Sequence, residues 1–455
     1  MIRRSLQLAL IAAAYLSGAP LVAFAGDDLC GPFVLGASTQ AVSELAEPGI
    51  RAGAAPDAAG SIVPLPVPED LDAFPGAAGS PPESEAVLAL PKRPGGGLPT
   101  DLELGPEARI ADSYWSPVTC ATIAKIAGPP GTPIERLVTV VPEGSALVPN
   151  DSYALAAAEV ASVEAPPAEP DPYASLQYGL AVTGVREARG LSTGEGVTIA
   201  LLDSAPETAH PDLSSARIQP LEGGAEMEVG VHGTLMAGVI NAIEDNGFGI
   251  AGVAPGAEVV SIPVCRPTGS AGGRCTIYDL LQGLDQAWDA EASIVNLSLS
   301  GPPNALLERG VARLEQLGAV VVAAAGNEGT RDRRYPAAYP SVIGVGAVDR
   351  DGRVFGSSNR GSWVELMAPG VDVLSTVPES AFAFGNGTSL AAAHVTGSLA
   401  VLTSVTGDPK RARGELFRAA GARASERDLP KVCDVFARLG LSCDGPSEGA
   451  AASAD

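Results

Sequence analysis

Five stretches beyond residue 170, at 197–202, 259–264, 294–299, 320–325 and 342–348, are apolar at nearly every position. Strands buried on both faces read this way, because neither side of the pleat meets water. Between them 234–243, 277–290 and 305–317 carry helical patterns. This alternation predicts an α/β domain with a mostly parallel central sheet and helices on both faces. In open sheets of this kind the working groups gather beyond the carboxyl ends of the strands.

The first half reads differently. From Gly26 to Pro170 the chain is rich in Ala, Pro and Gly and carries 20 acidic against 6 basic residues, a composition that predicts a largely irregular region. Residues 41–108 read as disordered or extended. A small module is expected within 113–163, where the strand-like run 137–141 lies between Pro133 and Pro142. The proline-rich joint 165–170 then marks the start of the folded domain at Asp171. That domain is expected over 171–443, with 444–455 as a disordered tail.

At the N-terminus Arg3 and Arg4 precede an apolar run over 6–16 and the small-residue pattern Ala23-Phe24-Ala25. Ser17, Gly18 and Pro20 interrupt the run, so a signal peptide over 1–25 is expected rather than a stable membrane span, and the product is secreted or periplasmic. Six cysteines then predict disulfides, with Cys265–Cys275 and Cys433–Cys443 closing short loops and Cys30 left for Cys120. A net charge of −24 excludes nucleic acid as a partner.

The first strand of the domain ends at Asp203, a carboxylate emerging from an apolar core. The chain has three histidines, His210, His232 and His394. His394 follows Ser389 by five positions on one predicted helix, which turns it about 140° away. His210 lies in the turn-like His210-Pro211-Asp212-Leu213. His232 opens a helix at Gly233-Thr234. Ser389 follows the glycine-rich turn Phe384-Gly385-Asn386-Gly387-Thr388 and heads an apolar helix, whose free amides suit a developing oxyanion. Asn327, at the end of the run that closes with Ala324-Ala325-Gly326, offers a second oxyanion donor.

The order Asp, His, Ser resembles that of the subtilisin-like serine proteases. The resemblance rests on Asp203-Ser204, on His232-Gly233-Thr234 with Ala237-Gly238, on Ala324-Ala325-Gly326-Asn327-Glu328-Gly329, and on Gly387-Thr388-Ser389 with His394-Val395. It implies a secreted serine endopeptidase in which His232 takes the proton of Ser389, Asp203 holds the imidazole, and Asn327 with the Ser389 amide binds the oxyanion. It implies an extended peptide or protein substrate lying between two backbone edges, Ser298-Leu299-Ser300-Gly301 and Ala324-Ala325-Gly326. It further implies residues 26–170 as a possible propeptide, and structural calcium at Asp171, Asp212 and Asn246. Ala205 and Ala393 replace a glycine and a proline usual in the family. A non-catalytic fold of the same type, binding peptides or proteins, is the alternative reading. An α/β-hydrolase esterase is excluded, because Ser389 lacks the Gly-x-Ser-x-Gly frame.

Overall fold

Alternation along each strand decides which helices cover which face of the main sheet. The structure, a computed structural model, describes residues 84–91, 98, 102–142, 145–155, 161–162, 171–213, 218–220, 228–268, 272–421 and 427–443. The strands are β1 (Ser84–Pro91), β2 (Glu103–Leu104), β3 (Arg109–Ser116), β4 (Ala121–Gly128), β5 (Val138–Val140), β6 (Ala146–Pro149), β7 (Ser152–Leu155), β8 (Ala161–Ser162), β9 (Thr198–Asp203), β10 (Ile218–Pro220) and β11 (Glu258–Pro263). They continue with β12 (Cys265–Thr268), β13 (Gly272–Thr276), β14 (Ile294–Leu297), β15 (Leu299–Ser300), β16 (Val320–Ala324), β17 (Val342–Val348), β18 (Leu366–Pro369), β19 (Val373–Val377), β20 (Ala381–Gly385) and β21 (Arg427–Asp428). The helices are α1 (Ile134–Leu137), α2 (Tyr178–Thr183), α3 (Val185–Ala188), α4 (Val231–Asn241), α5 (Ile277–Asp289), α6 (Ala305–Gln316), α7 (Thr388–Thr406), α8 (Pro409–Ala419) and α9 (Val432–Arg438).

Eight strands form one sheet in the order β10-β11-β9-β14-β16-β17-β18-β21, and every pairing in it is parallel. Ile199, Leu201, Val320 and Val322 join α4 and α7 in one apolar cluster. Their alternates Ala200, Leu202, Val321 and Ala323 join α5 and α6 in another. The expected strands and helices are therefore present, with one revision. The run 294–299 breaks after Leu297, and Leu299–Ser300 pairs in a different sheet.

The N-terminal residues hold more structure than their composition suggested. Ser84–Pro91, inside the stretch read as disordered or extended, is a central strand of a four-stranded sheet ordered β3-β4-β1-β6. Ala86 to Leu90 are buried, so both faces of β1 are covered. One face packs on Leu137 and Val138. On the other, Val87, Ala89 and Ile123 enter the cluster that contains Leu281, Leu284 and Val311 of α5 and α6. Five apolar residues in a row with small alanines among them supply this burial without any wider periodicity.

Polar contacts complete that interface. The Ile277 and Tyr278 amides, unpaired in the first turn of α5, donate to Asp151 O (3.1 Å) and Asn150 Oδ1 (3.1 Å). The buried Asp285 accepts from the Ser116 hydroxyl (3.0 Å) and the Val118 amide (2.9 Å). Cys265–Cys275 and Cys433–Cys443 are disulfides. Cys120 is also disulfide-bonded; its expected partner Cys30 lies outside the described residues, as do the signal segment, the 165–170 joint and the tail.

Candidate active site

β9 delivers Asp203 to the carboxyl end of the sheet, where its side chain is shielded from solvent. Both carboxylate oxygens lie 2.9 Å from His232 Nδ1. A carboxylate only accepts, so Nδ1 carries the proton and Nε2 presents a lone pair. That Nε2 is buried and makes no hydrogen bond. The Ser204 hydroxyl ties this pair to the start of α4, accepting from the Gly233 amide at 3.0 Å. A Cβ at Gly233 would stand 2.0 Å from Ser204 O, so the approach of helix to strand needs a glycine there.

Ser389 lies in the first turn of α7, where backbone amides have no intrahelical acceptor. It is 1% exposed, and its hydroxyl donates to Ser298 O at 3.2 Å. No residue of the turn caps α7 through its side chain; Asn327 does so from the end of β16. Asn327 Oδ1 accepts from the Thr388 amide (2.9 Å) and hydroxyl (3.0 Å), and the Gly326 amide donates to the same hydroxyl (3.0 Å). With Oδ1 so fixed, Nδ2 faces the other way, buried and without a partner. It lies against Gly387, where φ is +153° and a Cβ would come within 2.9 Å of it. Two donors, Asn327 Nδ2 and the amide of Ser389, thus stand at the turn that carries the Ser389 hydroxyl.

The other histidines are accounted for structurally. His394 bonds Leu390 O through Nδ1 (2.8 Å), and burial pushes its pKa down to about 4, so it is neutral. His210 accepts the Asp212 amide on Nδ1 (3.1 Å) and meets Ala381 O through Nε2 (3.0 Å), which places its proton on Nε2. The two family departures are accommodated. Ala205 is not among the residues with positive φ, and Ala393 is buried within an uninterrupted α7.

The expected peptide-binding segments separate. Leu299 and Ser300 form an edge that pairs antiparallel with β7, Leu299 opposite Leu155 and Ser300 opposite Ala154. Ser298 stands beside Ser389, and Gly301 bridges to Tyr335. Ala324, Ala325 and Gly326 offer no second edge, which corrects the sequence expectation. Ala324 is paired with Val345 in the main sheet. Ala325 uses its amide on Val345 O and its carbonyl on Asn359 Nδ2, and Gly326 uses its amide on Thr388 and its carbonyl on the Asn359 amide. The second wall is β13, which pairs with β7 from the other side, Cys275 opposite Tyr153. β7 is therefore the filled centre of a sheet ordered β12-β13-β7-β15. Farther along, β8 pairs with β20, the strand leading to the Ser389 turn.

Asp171, Asp212 and Asn246 do come together. Asn246 Nδ2 and the Ile250 amide donate to the two Asp212 oxygens (2.9 and 2.7 Å), and the Asp245 amide donates to Asp171 Oδ2 (2.9 Å). Burial raises the Asp212 pKa to about 7 and raises that of Asp171. Asp171 Oδ1 is buried beside the Asn246 amide without a well-formed hydrogen bond. The two desolvated carboxylates are hard oxygen donors of the kind calcium takes, while the Asn246 side-chain carbonyl accepts from the Phe248 amide (2.7 Å). Among the described residues, no three His, Cys, Asp or Glu side chains gather into a group that could hold a metal ion.

Comparison with known proteins gives a consistent result. The model of the subtilase family matches residues 194–427. The thermophilic serine proteinase of Bacillus sp. (strain AK1) is 37% identical over 238 residues, 51% of this chain and 58% of that protein. Subtilisin BL of Lederbergia lenta is 40% identical over 223 residues, 47% of this chain and 78% of that protein. The chain thus spans less than two thirds of the first relative's length. A solved protease of Pseudoalteromonas arctica PAMC 21717 shares the fold, with a TM-score of 0.51, 24% identity, and coverage of 59% of this chain and 98% of its own.

Proposed function

The chain belongs to the subtilase family, and from that premise we propose that it is a secreted serine endopeptidase, held in full-length form with its own β7 in the substrate groove. The observation that carries the chemistry is the buried His232, bonded through Nδ1 to both oxygens of Asp203 while Nε2 has no partner. In this reading Ser389 Oγ turns from Ser298 O, gives its proton to Nε2 and attacks the peptide carbonyl. The new oxyanion is met by Asn327 Nδ2 and the Ser389 amide. His232 then protonates the departing amine, and water repeats the sequence on the acyl-enzyme, regenerating Ser389. Asp203 keeps the tautomer and stabilises the imidazolium throughout.

The N-terminal region acts as an intramolecular occupant. β7 and β8 flank the site on either side, and maturation cuts the N-terminal region from the domain near Pro170. Export through segment 1–25 agrees with the disulfides, which persist in oxidising compartments. Among the described residues α7 is the one helix long and apolar enough to cross a membrane, and it is buried in the core. Asp171, Asp212 and Asn246 would hold a structural calcium, whose charge would offset the desolvated acids.

A fluorophosphonate probe tests the reading. Once incubation has released the N-terminal region, the protein should take the label and cut casein, and a Ser389→Ala variant should take none. Equal absence of label in both overturns the peptidase in favour of a peptide-binding fold.

A further inference from the structure

Beneath Ser389 a line of polar side chains is closed off from water. Ile294 of β14 joins the apolar cluster of α4 and α7, whereas Val295 and Leu297 join that of α5 and α6. This alternation turns Asn296, and Ser298 two positions on, toward α7. Thr396 follows Ser389 by about two turns of α7 and so returns to the same face of the helix. Asn296, Ser298 and Thr396 are each at 0% exposure, and a buried amide is costly unless its groups are paired. The pairing runs in one direction. The Thr396 hydroxyl donates to Asn296 Oδ1 (2.8 Å), Asn296 Nδ2 donates to the Ser298 hydroxyl (2.9 Å), and that hydroxyl donates to Ser389 O (3.3 Å). The last link sets the sense of the others. A carbonyl only accepts, so Ser298 spends its one proton on Ser389 O and its oxygen accepts from Asn296; the amide must then turn Oδ1 toward Thr396, whose hydroxyl donates.

We propose that Asn296 and Thr396 are positioning residues for the nucleophile, acting through Ser298. The inference rests on the peptidase reading above. Ser298 holds Ser389 twice, its hydroxyl on the Ser389 carbonyl and its own carbonyl under the Ser389 hydroxyl (3.2 Å). Because Asn296 commits the Ser298 proton to Ser389 O, that proton cannot turn to Ser389 Oγ and occupy the lone pair that attacks. Ser389 Oγ is left with one resting acceptor, Ser298 O, and one acceptor to turn to, His232 Nε2. Loss of the Thr396 hydroxyl frees the amide to turn over. Its oxygen then faces Ser298 and takes the proton, and Ser389 O is released from the end of β14. The β15 edge is untouched by this change, so the effect falls on the chemical step and not on binding. The chain is closed on itself and fully buried, the condition under which a polar network fixes one geometry.

The test uses the full-length protein after incubation has released the N-terminal region, with active sites counted by the end point of fluorophosphonate labelling. Rates are measured on two fluorogenic peptides, Ala-Ala-Leu-Ala and Ala-Ala-Leu-Phe, each followed by the reporter. Thr396→Val keeps the shape and loses the hydroxyl. It should lower kcat about 10-fold on both peptides with KM little changed, and slow the labelling of Ser389 by the same factor. Thr396→Ser keeps the hydroxyl and loses a methyl, and should stay within about 2-fold of the parent, whereas a packing role alone would reverse the order of the two variants. Ser298→Ala opens the other end of the chain and decides the matter even where Thr396→Val does not fold. It should show the same loss, with no further loss when the two are combined. Parental kcat in either of these single variants, Thr396→Ser falling below Thr396→Val, or losses that multiply in the double variant each overturn the positioning role, while the labelled serine leaves the peptidase standing. A parent protein that takes no label overturns the peptidase reading and the positioning role with it.

Discussion

Asp285 makes the association of the N-terminal sheet with the catalytic domain dependent on pH. The carboxyl lies on α5, is 6% exposed, and is approached from β3 and the following turn by Ser116, Val118 and Tyr114. Burial pushes its pKa up to about 7 from an ordinary 3.8, with the charge of Asp289 adding to the effect and the Val118 and Ser116 donors opposing it. The folded state therefore holds this proton more tightly than the unfolded chain. Its contribution to stability is complete below the ordinary pKa and is lost as pH rises through about 7. At about 1.4 kcal/mol per pH unit, the loss between those limits is up to about 4 kcal/mol. Asp285→Asn keeps an oxygen for Val118 and Ser116 but has no proton to lose. In a Ser389→Ala background, urea unfolding from pH 4 to pH 8 should show the variant gaining on its parent by up to that amount as pH rises, most of it by pH 7. The comparison cancels Asp212, which titrates in the same range in both proteins. A difference between variant and parent that does not change with pH would refute the reasoning.

Two further outcomes are expected. Asn327→Leu removes the orphan Nδ2 donor and the cap of α7, and should lower kcat by a factor of about 100 to 1,000 with KM little changed, as steady-state kinetics on one of the peptides would show; an unaltered kcat removes Asn327 from the oxyanion site. Transfer from calcium to EGTA should lower the Tm by about 5 to 10 °C, from a ligand term of about 2.7 kcal/mol at a hundredfold excess over Kd. Asp212→Asn should abolish that difference, and equal melting with and without calcium in the parent excludes the site.

The parallel core was legible because its strands are buried on both faces. Runs such as Val320–Ala324 have no polar position to blur them. The Asp203, His232 and Ser389 positions were legible for a related reason, since each is a polar residue at the end of an apolar element. What escaped was non-local. Nothing in Ser152-Tyr153-Ala154-Leu155 announces that it pairs with Gly272–Thr276 and Leu299–Ser300, segments more than a hundred residues away. Cys265 and Cys275 signalled a closed short loop, but not that its two arms pair as β12 and β13 or that β13 pairs in turn with β7. The Ala324-Ala325-Gly326 edge failed because Asn359, Thr388 and Val345 take its backbone groups, and their partnership leaves no mark in the local sequence. Ser84–Pro91 escaped because alanine and proline dominate its surroundings.

The two walls of the groove are separated by a single strand. Neighbouring strands lie about 4.8 Å apart, so β13 and β15 stand roughly 10 Å from each other, and Cys265–Cys275 ties the base of one wall whether or not anything lies between them. A gap of that width admits a chain in extended form and refuses a helix, whose diameter with side chains is about 10 to 12 Å before any room is left for contact. Whatever enters between the walls is thus selected by its conformation before its sequence. An extended segment can enter, and a stable helix of the same sequence cannot.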